Sequence, residues 1–378
     1  MESEKTIDKA LAGMSLREKV GQLFIVRPES LEPAIRYDSD AELPQYQLQA
    51  VSDGMRERAR EYPVGGVLLY GHNIADASQL ERFGADLKAL GGAPLLCIDE
   101  EGGRVSRIAR NPAFDVPRYE SAAAIAAGGD PKAALEAGRA IGNYLHRFGF
   151  DIDFAPVADV NTNPRNIIIG DRAFSDDPAV AAPMVAAFVR GLSEAGVASC
   201  LKHFPGHGDT LADTHLGYAF TNKDWSQMDA CEMVTFRAGI AAGAPLVMAA
   251  HVAAPAVTGS DVPATLSSTI LTDKLRSALG YEGIIITDAL EMGAITRGFG
   301  SGEAAVRALE AGADLLLCPL DYCQAFNAVA EAVETGRIPQ ARLEGSVRRI
   351  LRLKQRQADA ARLQPHRKDH QRQSRPER

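Results

Sequence analysis

The sequence predicts an α/β chain closing into a single (β/α)8 barrel of the TIM type, on three observations. Eight brief aliphatic runs with little polar alternation recur along the chain, as parallel strands buried on both faces require. Segments of helical spacing separate most of these runs, the alternation that builds a parallel sheet. The 378 residues are 46% hydrophobic, 24% charged and only 6% aromatic. That is long enough for one barrel and suits aliphatic strands under packed helices better than an all-β sandwich. A doubly wound open sheet is the competing architecture.

In chain order the strands are expected at 23–26, 66–69, 94–98, 152–155, 198–202, 246–250, 284–287 and 314–318. Helical spacing is read at 77–90, 131–148, 179–195 and 302–311. Residues 29–60 are polar, contain proline and read as an elaboration between the first two strands. Beyond about residue 355 the chain changes character: Gln364-Pro365-His366-Arg367-Lys368-Asp369-His370 and the Arg-rich end lack apolar residues. The expected organisation is a barrel over 1–355 and a disordered basic tail over 356–378.

Bulk charge excludes some classes of function. A formal net charge of −8 argues against a nucleic-acid surface, since such binding rests on neutralising phosphates with Lys and Arg. Met1-Glu2-Ser3-Glu4-Lys5 lacks the basic-then-apolar pattern of a signal peptide. No run approaches the roughly 20 apolar residues of a membrane span. A cytoplasmic protein with no membrane partner is expected. The five cysteines, Cys97, Cys200, Cys231, Cys318 and Cys323, match neither a disulfide scaffold nor a zinc site and are read as reduced. Cys97, Cys200 and Cys318 fall in apolar runs, as small core residues do.

In a barrel, catalytic groups stand at the C-terminal ends of strands, so polar residues just after apolar runs matter most. Ile284-Ile285-Ile286-Thr287 ends abruptly in Asp288, which either faces the active site or caps a helix at 289–292. Leu95-Leu96-Cys97-Ile98 ends in Asp99, ahead of Glu100-Glu101-Gly102-Gly103-Arg104. The glycine pair lets backbone approach a ligand, and a carboxylate at 99 can accept from two sugar hydroxyls; capping is again the alternative. Tyr70-Gly71-His72-Asn73 follows the second strand and borders the expected pocket, with His72 open between a structural and a ligand-binding role.

The most informative segment runs from Lys202-His203-Phe204-Pro205-Gly206-His207-Gly208-Asp209-Thr210 to Asp213-Thr214-His215. Three of the eight histidines of the chain fall in it. Pro205, Gly206 and Gly208 forbid the helix that would put His203 and His207 on one face, so a metal site would have to be loop-borne. Asp213 and His215 fit another role. A carboxylate two residues from an imidazole can fix its tautomer and stabilise its protonated form, and an imidazole suits proton transfer near neutral pH. No Ser stands in a G-x-S-x-G context. A carboxylate nucleophile served by a His acid is the favoured combination.

These blocks resemble glycoside hydrolase family 3, in its single-domain β-N-acetylglucosaminidase branch. The 202–215 segment, Ile286-Thr287-Asp288-Ala289-Leu290-Glu291-Met292, Asp99-Glu100-Glu101-Gly102-Gly103-Arg104-Val105, Asn163-Pro164-Arg165-Asn166 and Gly170-Asp171-Arg172-Ala173-Phe174 occur in the family's order. The resemblance covers residues 14–353. It implies a retaining β-N-acetylhexosaminidase with Asp288 as nucleophile, His215 as general acid–base and Asp213 as its orienting partner. Asp99, Arg172, Lys202 and His203 would bind N-acetylglucosamine. The family's β-glucosidases draw their acid, a Glu, from a second domain for which this chain has no room, so a loop His would serve. The implied substrate is a β-linked N-acetylglucosaminide, in bacteria a muropeptide of cell-wall recycling, with no metal or cofactor. Two other functions stay open: a phosphorylase, because a His repels phosphate less than a Glu would, and a non-catalytic sugar sensor.

Overall fold

The computed structural model describes residues 2–35, 47–210 and 219–363. Eight strands form one parallel sheet: β1 (Phe24–Val26), β2 (Gly66–Leu69), β3 (Leu95–Ile98), β4 (Ile152–Asp153), β5 (Ala198–Phe204), β6 (Leu246–Ala249), β7 (Ile284–Thr287) and β8 (Leu316–Leu317). Their spatial order is β8-β1-β2-β3-β4-β5-β6-β7. A parallel bridge between Ile286 and Leu315 joins the two ends of that order. There the Thr287 amide donates to the Leu315 carbonyl at 3.0 Å and the Leu315 amide to Ile285 at 3.1 Å. The sheet is therefore a ring, and the (β/α)8 barrel is the observed fold rather than the open sheet.

All residues of the eight strands are buried. Burial on both faces explains why the strands read as short aliphatic runs: one face packs the barrel interior and the other meets the helices. Helices Pro131–Arg147 and Pro178–Glu194 begin in the same way, with Asp130 and Asp177 accepting a first-turn amide and proline at the first helical position. Proline costs nothing there because the missing N–H would have had no partner.

β4 and β8 are shorter than the expected 152–155 and 314–318, and three further differences bear on the site and the domain bounds. β5 runs on through Phe204, so Lys202 and His203 lie within the strand instead of at and beyond its end. The polar stretch 29–60 contains much of Asp53–Glu61, the helix between β1 and β2. Its buried stripe is only Met55 and Ala59, four residues apart, too narrow to stand out as a hydrophobic period. The final helix, Gln340–Leu363, crosses the boundary drawn at 355. Val347, Ile350 and Leu353 dock it on the barrel, and the strong helix formers Ala358, Ala360 and Ala361 extend it. Residues 364–378 of the expected tail lie outside the described residues.

At the N-terminal end of the barrel, buried Asp314 accepts from the Ile285 amide at 3.0 Å, Ser346 Oγ at 2.6 Å and Arg276 Nη2 at 2.7 Å. It ties β7, β8 and the last helix together. Cys97, Cys200 and Cys318 are buried. Among the described residues no helix is long and apolar enough to cross a membrane.

Candidate active site

The C-terminal ends of the strands carry a dense set of charged side chains. Asp288 directly follows β7, with its amide donating to the Ala249 carbonyl at 2.9 Å. Its Oδ1 accepts from the Ala289 amide at 2.8 Å. No helix starts at 289; the next short one is Gly293–Thr296, preceded by Met292, so Asp288 is not a helix cap. Burial alone would raise its pKa, but His251, His203, the Ala289 amide and Lys202 outweigh burial and hold it below the ordinary carboxylate range. The result is an ionised carboxylate at a strand end.

Lys202 is the hub of the adjoining wall. Its buried ammonium lies 2.8 Å from Asp99 Oδ1 and 2.7 Å from Glu101 Oε1. Arg172 meets Glu101 in a two-point fork, Nε to Oε2 at 2.8 Å and Nη2 to Oε1 at 2.7 Å. Burial opposes charge on each group, yet the pairing wins. Arg172 and Lys202 hold Glu101 well below the usual carboxylate range, and Asp99 and Glu101 hold Lys202 well above the usual lysine range. Asp99 keeps its second oxygen toward Arg107, 3.6 Å away. Such a lattice offers fixed donors and acceptors together, which is what a ring of hydroxyls requires.

The loop after β5 is set by one buried carboxylate. Asp159 accepts from His203 Nδ1 at 2.7 Å and from the His207 amide at 2.7 Å. Gly208 lets this loop lie against the one after β4: a Cβ there would stand 1.9 Å from the Val160 carbonyl oxygen. Gly206 has φ +129, and a Cβ would meet the Glu232 side chain at 2.4 Å. The His207 ring bonds Thr210 Oγ1 at 2.7 Å through Nδ1, while its buried Nε2 has no hydrogen-bond partner among the described residues. Burial and then His203 depress its pKa, so the ring is neutral near pH 7.

A second wall rises from β1, β2 and β7. Arg27 pairs with Glu291 and lies 4.6 Å over the Tyr70 ring. His72 stacks on Tyr70 at 5.8 Å and bonds Glu29 at 3.1 Å, which accounts for it structurally. Asp213 and His215 belong to 211–218, outside the described residues. The flanks of that segment are fixed: Thr221 Oγ1 donates to Asp209 at 2.9 Å, and Ala219–Phe220 pairs with Val252–Ala253.

Residues 15–353 match the Glycosyl hydrolase family 3 N terminal domain. The chain belongs to this family. A beta-hexosaminidase A of Pseudoalteromonas piscicida is 34% identical over 326 residues, 79% of this chain and 54% of that protein. A beta-hexosaminidase of Stenotrophomonas maltophilia is 40% identical over 260 residues, 67% of this chain and 76% of that one. A solved family 3 beta-N-acetylglucosaminidase from Paenibacillus sp. str. FPU-7 aligns with TM-score 0.82 at 38% identity, covering 92% of this chain and 63% of its own. The family 3 chain thus spans about half the length of the first relative and three-quarters of the second.

Within this family 3 barrel, Asp99, Arg172, Lys202 and His203 come together as one lattice with Asp288 in its field. Four neighbours escaped the sequence reading: Glu101, Arg107, Asp159 and His251. Arg107 is placed by Glu100, whose buried carboxyl accepts from the amides of Arg107, Ile108 and Ala109 at 2.5, 3.0 and 2.9 Å and from Tyr144 Oη at 2.9 Å. His251 is buried, with Nε2 2.9 Å from the Ala289 carbonyl and Nδ1 2.8 Å from Thr265 Oγ1. Glu101 stands inside the 99–105 block and His251 directly follows the aliphatic run 246–250, so both meet the rule for polar residues after a strand; Asp159 does not, lying well beyond Asp153, the end of β4.

Proposed function

We propose that this family 3 protein is a retaining β-N-acetylhexosaminidase that releases terminal β-linked N-acetylglucosamine. The carrying observation is Asp288: an ionised carboxylate at the end of β7, in the field of His203 and Lys202, beside a lattice built to hold hydroxyls. The names borne by the similar proteins support the same substrate class.

In this reading an Asp288 oxygen attacks the anomeric carbon while the glycosidic C–O bond breaks. His215, protonated and oriented by Asp213, gives its proton to the departing oxygen. Neutral His215 then takes a proton from water, which attacks the same carbon and frees Asp288. Asp99, Arg172, Lys202 and His203 hold the sugar, with Arg107 beside Asp99. Resemblance to the family's single-domain branch points to muropeptides as natural substrates and to cell-wall recycling in the cytoplasm.

The test is hydrolysis of aryl β-N-acetylglucosaminide and β-glucoside, with phosphate varied and the first-formed anomer read by NMR. Preference for the acetamido sugar and β-configured N-acetylglucosamine as first product are expected. An α-anomer would remove the covalent step; N-acetylglucosamine 1-phosphate as main product would make the protein a phosphorylase. Asp288→Ala is expected to lose nearly all turnover yet still bind N-acetylglucosamine, and a near-wild-type rate would remove it as nucleophile.

A further inference from the structure

The loop after β3 builds a cavity beside the candidate active site. Its volume is about 260 Å³, and Arg104, Ser106, Arg110, Arg118, Tyr119 and Glu120 are among its lining. Three guanidinium groups thus face one carboxylate, on a chain whose net charge is −8. Arg104 is engaged: its Nη2 donates to the carbonyls of Ile167, Ile168 and Ile169 at 2.7, 2.7 and 3.1 Å, and it pairs with Asp171 at 3.5 Å. Arg110 and Arg118 are not. They have only the carbonyls of Arg104 and Phe114, each at 3.4 Å, and no carboxylate partner among the described residues.

A separate observation concerns a neutral group. Ser106 is buried, and its Oγ has no hydrogen-bond partner among the described residues. A hydroxyl withdrawn from water and left unpaired is unfavourable and rare in native proteins. Ser106 lines the cavity, and a turn about χ1 would bring its buried hydroxyl to a ligand oxygen there, while the two uncommitted guanidinium groups would supply charge-assisted bonds to the same ligand.

We propose that this cavity is an oxyanion site for a small carboxylate- or phosphate-bearing ligand, held by Arg110 and Arg118 with Ser106 as neutral donor. The site is wired to the sugar pocket. Gly103 and Arg104 also line a narrow crevice with Glu101 and Arg172. Arg104 Nη2 and Arg172 Nη1 donate to the same Ile168 carbonyl, at 2.7 and 3.0 Å. An anion that draws on Arg104 therefore alters the brace on Arg172, and through it the Glu101–Lys202 pair. The binding claim stands on the cavity alone; the coupling claim rests on the proposed sugar-binding role of that lattice.

The experiment is calorimetric titration of the full chain with inorganic phosphate and, separately, with malonate, at constant ionic strength set with sodium chloride. Saturable one-to-one binding of at least one anion is expected in the wild type. Arg110→Ala/Arg118→Ala is expected to weaken it by about tenfold or more, and Ser106→Ala by several-fold. Both arginines are exposed, so the double variant should fold and its melting curve serves as control. Binding of phosphate alone selects a tetrahedral anion, and of malonate alone a carboxylate; either supports the site. No saturable binding at millimolar anion, or equal affinity in the double variant, overturns it. Calorimetry needs no turnover, so its failure is separate from failure of the hydrolase reading. For the coupling, saturating anion should shift KM for an aryl β-N-acetylglucosaminide in the wild type and not in the double variant. An unshifted KM with binding intact would overturn the coupling alone.

Discussion

Asp159 grips His203 at two levels. Its Oδ2 lies 2.7 Å from the ring Nδ1, and both its oxygens accept from the His203 amide at 3.3 Å. The same carboxylate takes the His207 amide, so one buried charge fixes the ring that faces Arg172 and the turn that carries the chain toward 211–218. Burial would raise its pKa; His203 and then the His207 ring and amide outweigh burial and lower it.

Replacing that carboxylate without changing its shape isolates the effect. Asp159→Asn turns one acceptor oxygen into an NH2 donor facing either the His203 ring or an amide. One bond becomes a clash of donors, worth about 1–3 kcal/mol. We expect kcat/KM on aryl β-N-acetylglucosaminide to fall by roughly 10- to 100-fold, with a lower melting temperature. A variant within about twofold of wild type would show that His203 needs no carboxylate to hold its place.

Lys202 and Glu101 form the second relationship to probe. Lys202→Met preserves length but leaves Asp99 and Glu101 facing each other with Arg172 as the main buried counter-charge. Breaking a buried pair on one side costs about 3–5 kcal/mol, so a marked drop in denaturant midpoint is expected. Adding Glu101→Gln should recover part of it, because the stranded carboxylate is gone. Urea melts of the two singles and the double close the cycle. Additivity within about 0.5 kcal/mol would mean the pair is not coupled.

The barrel was legible because its strands are buried on both faces, and such runs stand out against polar helices. The candidate site was legible where a polar residue follows an aliphatic run at once, as at Asp99 and Asp288, or lies in a dense motif, as at Lys202-His203. Asp159 fails that rule. β4 ends at Asp153, and Ala155-Pro156-Val157-Ala158 intervenes, with Val157 bridged to Lys202 outside any regular strand. Glu100 looked like one more acidic residue beside Glu101. Its role depends on Tyr144, 44 residues on, and periodicity carries no such pairing. The helix Asp53–Glu61 was hidden because two buried residues suffice where the barrel wall is already covered.

Asp153 gives a pH prediction of the opposite sign to the paired carboxylates. It is fully buried, its Oδ1 accepts from the Glu100 amide at 2.9 Å, and its Oδ2 has no hydrogen-bond partner among the described residues. Burial pushes its pKa well above the ordinary value. A carboxyl whose folded pKa is raised favours the fold when protonated, so its contribution is lost as pH rises from the unfolded pKa, about 3.9, through the folded one. Asn at this position cannot ionise and is spared that loss. Asp153→Asn should therefore gain on wild type as pH rises, by about 1–3 °C in melting temperature at pH 8 for each ~1–2 kcal/mol. A difference independent of pH would show that Asp153 is not the titrating group.

The acid–base assignment to His215 and Asp213 predicts a dependence on leaving group. A nitrophenolate departs with little protonation, whereas a sugar alkoxide needs a proton in the transition state. His215→Ala should lose about 10²–10⁴-fold in rate on a natural disaccharide, and far less in the glycosylation step with an activated aryl glycoside. With that activated substrate the second step also slows, since water then loses its base, and a burst of nitrophenol before the steady state is expected. Asp213→Asn should move the pH profile, because the imidazolium loses its stabilising carboxylate and gives up its proton more easily. The basic side of the kcat/KM profile then shifts to lower pH. Equal losses on both substrates, or an unmoved profile, would place the proton transfer elsewhere and leave Asp288 as nucleophile without this partner.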